Sequence, residues 1–253
     1  MTEVLKILTT YVHNITQHEI LNIIYNSIET CTSISIHYAN TYTLLLNKYD
    51  KKFANNCKKI TYFLPDGVGV YLASKFLYGK NGFKSRITGT DLYFKLLEDS
   101  SKRNVKFYFY GGSEKAIEEL KDKLKRKLCD CCIVGLKSRN FSNYDKIIDE
   151  INNVKPDILF IGLGTPQQEE FFTKYKDIIN VSVIILVGSG IDFIAGTLRR
   201  APLFMRLIGM EWLFRLFIEP KRLWKRYIIG IPHFVINIIY QKLKSKSHEV
   251  QLS

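Results

Sequence analysis

The stretch DILFIGLGTPQQEEF, Asp157 to Phe171, holds a strand, a turn and a helix start in fifteen residues. An apolar run with β-branched members ends at Gly162, glycines break the chain at Gly162 and Gly164, and Pro166 opens an amphipathic segment. This is the layout of a buried strand whose carboxyl end feeds a loop and then a returning helix. Outward from it the alternation repeats. Short runs rich in β-branched and aromatic residues predict strands at Ser33–His37, Ile60–Leu64, Val105–Tyr110, Cys132–Leu136, Asp157–Gly162 and Val181–Val187. Amphipathic stretches predict helices at Gln17–Glu29, Gly67–Leu77, Asp91–Lys102, Ser113–Lys127, Asn143–Asn153 and Pro166–Lys174, with Ser113 and Asn143 as N-caps. The expectation is an α/β fold: a Rossmann-like, mostly parallel sheet flanked by helices over residues 1–195.

Beyond Gly190 the strand-like runs stop, and residues 196–253 read as a helical, basic and aromatic appendage. From Arg199 to Lys246 eleven Lys and Arg face two Glu, so this segment holds nine of the net +13 charges. Such a surface calls for a polyanion. The longest apolar run, Ile228 to Tyr240, has 13 residues, short of the ~20 that a membrane-crossing helix needs. Together with Trp212 and Trp224 it suits lying on an anionic membrane surface. No nucleic-acid module appears, and the basic residues sit beside apolar runs, so nucleic acid is not the expected partner. Apolar appendage helices also suit packing on a second copy, which leaves a homo-oligomer open.

The N-terminal segment lacks the layout of a secretory signal. The five cysteines, three of them in CDCC (Cys129, Cys131, Cys132), do not form an extracellular disulfide framework. A cytoplasmic protein, peripheral on the inner membrane face, is expected. Cys129 and Cys132 make a CxxC without a second ligand pair, so no metal site is expected.

In an α/β sheet, ligands bind at the carboxyl ends of the strands. Four predicted strands end in glycine-bearing loops: Pro65–Gly69, Gly111–Ser113, Gly162–Glu170 and Gly188–Phe193. Backbone without a Cβ lets a ligand approach, and the following helix starts offer free N–H groups to phosphate. Gly67, Gly111, Gly112, Gly164, Thr165, Gly188, Gly190 and Asp192 are candidates on that ground. No G-x-G-x-x-G opens the first unit, so a dinucleotide cofactor is not indicated. Asp66, at a strand end, suits a general base; an ordinary turn or N-cap residue is the alternative. Arg86 suits neutralisation of a diphosphate leaving group, with an ordinary surface arginine as the alternative, and Thr90 or Asp91 caps the next helix beside it. Gln168 and Glu169 follow Pro166 where side chains face the strand ends, with capping as the alternative for Glu169. Asn40 is a similar amide candidate, whereas His37 reads as a core histidine. Arg215, Arg222 and Lys225 recur at spacings of seven and three, which puts them on one helical face if the helix persists through Pro220.

Taken together, PDGVGV, RITGTDL, FYFYGG, DILFIGLGTPQQEEF and GSGIDFIAGTLRRAPLFMRLIGMEWLFRLFIEPKRLWKRY resemble the WecG/TagA/CpsF glycosyltransferases, in order from about Ser33 to Tyr227. The resemblance implies an inverting transfer, without a metal or other cofactor, of an N-acetylmannosamine-type sugar from a UDP donor to a polyprenyl-diphosphate-linked sugar in cell-surface polymer synthesis. It makes Asp66 the base, and assigns catalytic places to Arg86 and Gln168. It also places Arg215, Arg222 and Lys225 in an appendage that covers the site. A membrane-associated nucleotide-binding protein without catalysis shares the loops and the tail, and stays open as the rival.

Overall fold

A computed structural model of the chain describes residues 2–127 and 132–251. Cys129 and Cys131 lie outside the described residues, and with them the CxxC reading; Cys132 is buried.

Six parallel strands form the central sheet in the order β4-β3-β8-β7-β5-β6. They are β3 (Ile34–Ala39), β4 (Tyr62–Pro65), β5 (Phe107–Gly111), β6 (Ile133–Lys137), β7 (Ile158–Gly162) and β8 (Val183–Leu186). The parallel sheet flanked by helices is the Rossmann-like arrangement that the alternating runs predict. Its strands read as continuous apolar runs because both faces are covered. Phe107, Phe109 and Phe160 point to one face, and Phe160 lies 5.0 Å from Phe109 and 5.9 Å from Phe107 in near-parallel stacks. Tyr108, Tyr110, Leu159 and Ile161 point to the other.

The first face is covered by α1 (Gln17–Glu29), α5 (Gly89–Arg103), α6 (Glu114–Lys127) and α9 (Gly190–Ala195). The second is covered by α2 (Thr41–Tyr49), α3 (Lys51–Cys57), α4 (Val68–Tyr78), α7 (Tyr144–Val154) and α8 (Gln167–Tyr175). Local chemistry sets the helix starts. Thr16 and Glu19 form a capping box at α1, the Ser113 hydroxyl accepts from Ala116 N at α6, and Asn143 accepts from Lys146 N at α7. Helices α2 and α3 and the N-terminal hairpin of β1 (Val4–Ile7) and β2 (Thr10–His13) are not apparent from the sequence pattern.

After α9 come α10 (Leu203–Leu207), α11 (Glu211–Ile218), α12 (Pro220–Trp224), a π-turn at Lys225–Ile229, and α13 (Gly230–Gln251). Pro220 starts a new helix, because it has no N–H to continue α11. Arg215 and Arg222 therefore do not share a continuous helical face. One side of α13 joins the core through Phe234 and Ile238. Asn237 accepts from Lys48 and Tyr49, and Gln241 accepts from Leu8 N and donates to Lys6 O, both at 2.8 Å. The other side leaves Val235, Ile236, Ile239, Tyr240 and Leu243 exposed. No described helix is long and apolar enough to cross a membrane.

Candidate active site

The carboxyl ends of β4, β3, β8 and β7 open into one cavity of about 670 Å³, lined on its far side by residues of α10 to α12 and the π-turn. Asp66 projects into it from the end of β4. Its backbone N donates to Ala39 O at 3.0 Å, and Pro65 O accepts from Ile87 N at 2.8 Å, which fixes the turn on both sides. Gly67, at φ +83°, is the N-cap of α4, so Asp66 is not spent on capping. Burial above all, and the nearby Glu211, push the Asp66 carboxyl up to about 6 against the opposing pull of Arg226, Arg215 and Arg86.

Six arginines line the same cavity: Arg86, Arg200, Arg206, Arg215, Arg222 and Arg226. Arg226 Nη2 donates to Asn40 Oδ1 at 3.0 Å, and its guanidinium lies 4.8 Å from the Tyr42 ring centre. The same Asn40 oxygen caps α2 by accepting from Tyr42 N and Thr43 N. Arg215 donates to the Ser189 hydroxyl at 3.1 Å and covers the Phe193 ring. Arg86 donates to Arg206 O at 2.6 Å, tying the segment before α5 to α10. Arg200 and Arg206 approach Asp91. The Nε atoms of Arg200, Arg206, Arg215 and Arg226 are buried without a hydrogen-bond partner. Buried donors are ordinarily satisfied, and a guanidinium can donate only, so the chemistry of this lining suits a multiply charged oxyanion.

Gln168 is buried and spans two loops: its Oε1 accepts from Gly188 N at 2.8 Å, and its Nε2 donates to Glu169 Oε1 at 2.9 Å. Glu169 is fully buried, 2.6 Å from His37 Nε2, and also accepts from the Thr165 hydroxyl at 3.0 Å. It does not cap α8. The network locks the β7 and β8 loops to β3 beneath the cavity floor. Beside it, Tyr38 and Tyr93 meet edge to face at 5.7 Å, and burial raises both phenols. A Cβ on Gly89 would fall 2.7 Å from the Tyr93 hydroxyl, and one on Gly190 2.6 Å from the Tyr93 ring, so both glycines make room for that phenol.

The cavity brings together Asn40, Asp66, Gly67, Arg86, Thr90, Asp91, Gly164, Thr165, Gln168, Gly188, Gly190, Arg215, Arg222 and Lys225. Gly111, Gly112, Glu169 and Asp192 stand outside its lining. The strand order explains the two glycines, since β5 lies beyond β7 toward the far edge. A Cβ on Gly111 would fall 2.3 Å from Gly162 backbone, so that glycine serves strand packing. Asp192 is held by Ser113 and by Arg139 Nη2 at 3.0 Å, which makes it a structural clamp. Arg222 is turned to Glu219 in a two-bond pair, and Lys225 rests by the Trp224 ring at the mouth. Arg226, one residue on, is the inward cation that the helical count through Pro220 misses.

The sequence profile of the glycosyl transferase WecG/TagA/CpsF family matches residues 5–248. This chain belongs to that family. Similar proteins include three named N-acetylglucosaminyldiphosphoundecaprenol N-acetyl-beta-D-mannosaminyltransferase. That of Bacillus spizizenii is 33% identical over 188 residues, covering 74% of this chain and 72% of the relative. That of Bacillus subtilis is 28% identical, covering 78% and 76%, and that of Staphylococcus aureus 26%, covering 83% and 78%. The protein is a glycosyltransferase. In this WecG/TagA/CpsF enzyme the matched region takes in both the sheet and the helices α10 to α13, so the basic segment belongs to the family's common body.

Proposed function

We propose that this enzyme transfers an N-acetylmannosamine-type hexosamine, with inversion, from a UDP-sugar to a sugar carried on a polyprenyl diphosphate. The observation that carries the reading is Asp66, set in the same cavity as Arg86, Arg215 and Arg226, each of which acts on its carboxyl. The acceptor hydroxyl oxygen attacks the anomeric carbon while its proton passes to the Asp66 carboxylate. The bond from that carbon to the phosphate oxygen breaks, and its electron pair leaves with UDP. The growing charge on the diphosphate falls among guanidiniums, which take the place of a metal ion. The relatives' names support the acceptor class.

The test is UDP release from UDP-N-acetylmannosamine with lipid-linked N-acetylglucosamine as acceptor. Release that depends on the acceptor and persists in a chelator is the expected result. Binding of UDP without any turnover across a panel of donors would favour the non-catalytic rival.

The same reading puts the enzyme on the inner, anionic membrane face. It rests on the exposed apolar side of α13, with Ile236 at 65% and Tyr240 at 64% exposure, and on the basic residues around it. Ile236→Glu combined with Ile239→Glu is expected to cut sedimentation with phosphatidylglycerol vesicles at least ~10-fold, without lowering the melting temperature, since both side chains point outward. Unchanged sedimentation refutes this placement.

A further inference from the structure

Between the end of α9 and α11, residues 200 to 207 combine two chemistries that a nucleotide alone does not need. Arg200 Nη2 lies 2.7 Å and Arg206 Nη1 3.8 Å from the same oxygen, Oδ1 of Asp91. The Nε atoms of both arginines are buried without partners. Leu203 and Leu207 stand one helical turn apart in α10. Both line the cavity, yet they are 61% and 68% exposed, and Phe204 and Ile208 continue the apolar surface outward. One short segment thus joins cations inside the cavity to a greasy ramp leading out of it. Arg215 and Arg226 are placed differently, with Ser189 and Asn40.

We infer that residues 200–207 seat the acceptor's diphosphate and first isoprene units, and that Asp91 holds this seat as a stand-in anion until the acceptor arrives. The inference rests on the polyprenyl-diphosphate reading above. An amphiphile with an anionic head and a branched hydrocarbon tail matches the strip, whereas UDP has no tail to cover Leu203 and Leu207. Two diphosphates must be held apart during the transfer, one leaving and one anchoring the acceptor, and the arginines fall into two groups. One carboxylate oxygen is a poor match for two guanidiniums, while a diphosphate brings several oxygens. Asp91 is 46% exposed, so it can swing into water at little cost.

Calorimetric titration of the full chain with geranyl diphosphate, inorganic pyrophosphate and UDP tests this. Geranyl diphosphate is expected to bind at least ~10-fold tighter than pyrophosphate, a gap of about 1.4 kcal/mol. Arg200→Gln with Arg206→Gln should weaken geranyl diphosphate by ~10- to 100-fold and leave UDP within about twofold, the surviving UDP affinity reporting an intact fold. Leu207→Asn, at an exposed position, should erase the preference over pyrophosphate. Asp91→Asn should tighten geranyl diphosphate by ~3- to 10-fold, because a competing anion is removed. Weaker binding in Asp91→Asn overturns the stand-in role. No binding to the unaltered protein, or equal losses for UDP and geranyl diphosphate in the arginine variant, overturns the seat. Geranyl diphosphate binding without any sugar transfer would sink the catalytic reading and spare the seat. Transfer with an unchanged acceptor KM in the arginine variant would do the reverse.

Discussion

Asp66→Asn is expected to slow sugar transfer by ~10²- to 10⁴-fold while making the folded protein more stable at neutral pH. The amide keeps the shape of the carboxyl and cannot take the acceptor's proton. UDP affinity should hold within a few-fold, because the diphosphate is met by arginines. The stability gain follows from the carboxyl's raised position, about 6 against an ordinary 3.8. A group held higher in the folded than in the unfolded state makes the native protein bind more protons between those values. Its ionisation therefore costs stability, a cost absent below about pH 3.8, growing as pH rises, and complete above about pH 6. Two pH units are worth at most about 3 kcal/mol, so a gain of ~1–3 kcal/mol is expected at pH 7.5 and almost none at pH 4. Urea unfolding at the two pH values reads this directly. The unaltered enzyme should lose activity on an acid limb near pH 6. An active Asn variant, or one equally stabilised at both pH values, would rule out this base.

The strands were legible because a sheet covered on both faces forces continuous apolar runs, as in FYFY and ILFI, and their glycine loops follow from the need for turns at strand ends. Strand order is another matter. GGS after β5 and GSG after β8 look alike in sequence, but only β4, β3, β8 and β7 border the cavity, and pairing between distant strands leaves no mark in either loop. Helix α3 was hidden because KKFANNC buries only Phe53 and Cys57 and shows no apolar stripe; Asp50, which accepts from Phe53 N, is its one signal. The hairpin strands are four residues each, too short for a clear alternation. At the site, Asp66 could be singled out by its place after a strand, whereas Glu169 looked like a helix-start acid. Its burial against His37 depends on β3 lying beneath the β7 loop, a contact across 132 residues of sequence.

Arg226 escaped for a related reason, and its replacement should have the second largest effect. Counting by helical turns from Arg215 selects Arg222 and Lys225, but the count restarts at Pro220 and the chain passes into a π-turn at Lys225. The result is a half-buried guanidinium that links this turn to the N-cap of α2 through Asn40, lies over Tyr42, and lowers the Asp66 carboxyl more than any other cation. Arg226→Gln is expected to reduce kcat by ~10²- to 10³-fold, since a preorganised positive charge is lost where the leaving diphosphate gathers its own. Arg226→Lys should recover only part of this, because an ammonium keeps the charge without the planar fork. A damaged fold alone could also slow the enzyme, so the decisive readout is the acid limb. Without Arg226 the carboxylate loses a stabilising neighbour, and the limb must move to higher pH. Glu211→Gln removes a like charge and must move it to lower pH. Opposite shifts from two residues on the same side of the cavity require that both act on Asp66 through their charge. A limb that stays in place in both variants would mean that the group titrating in turnover is not Asp66.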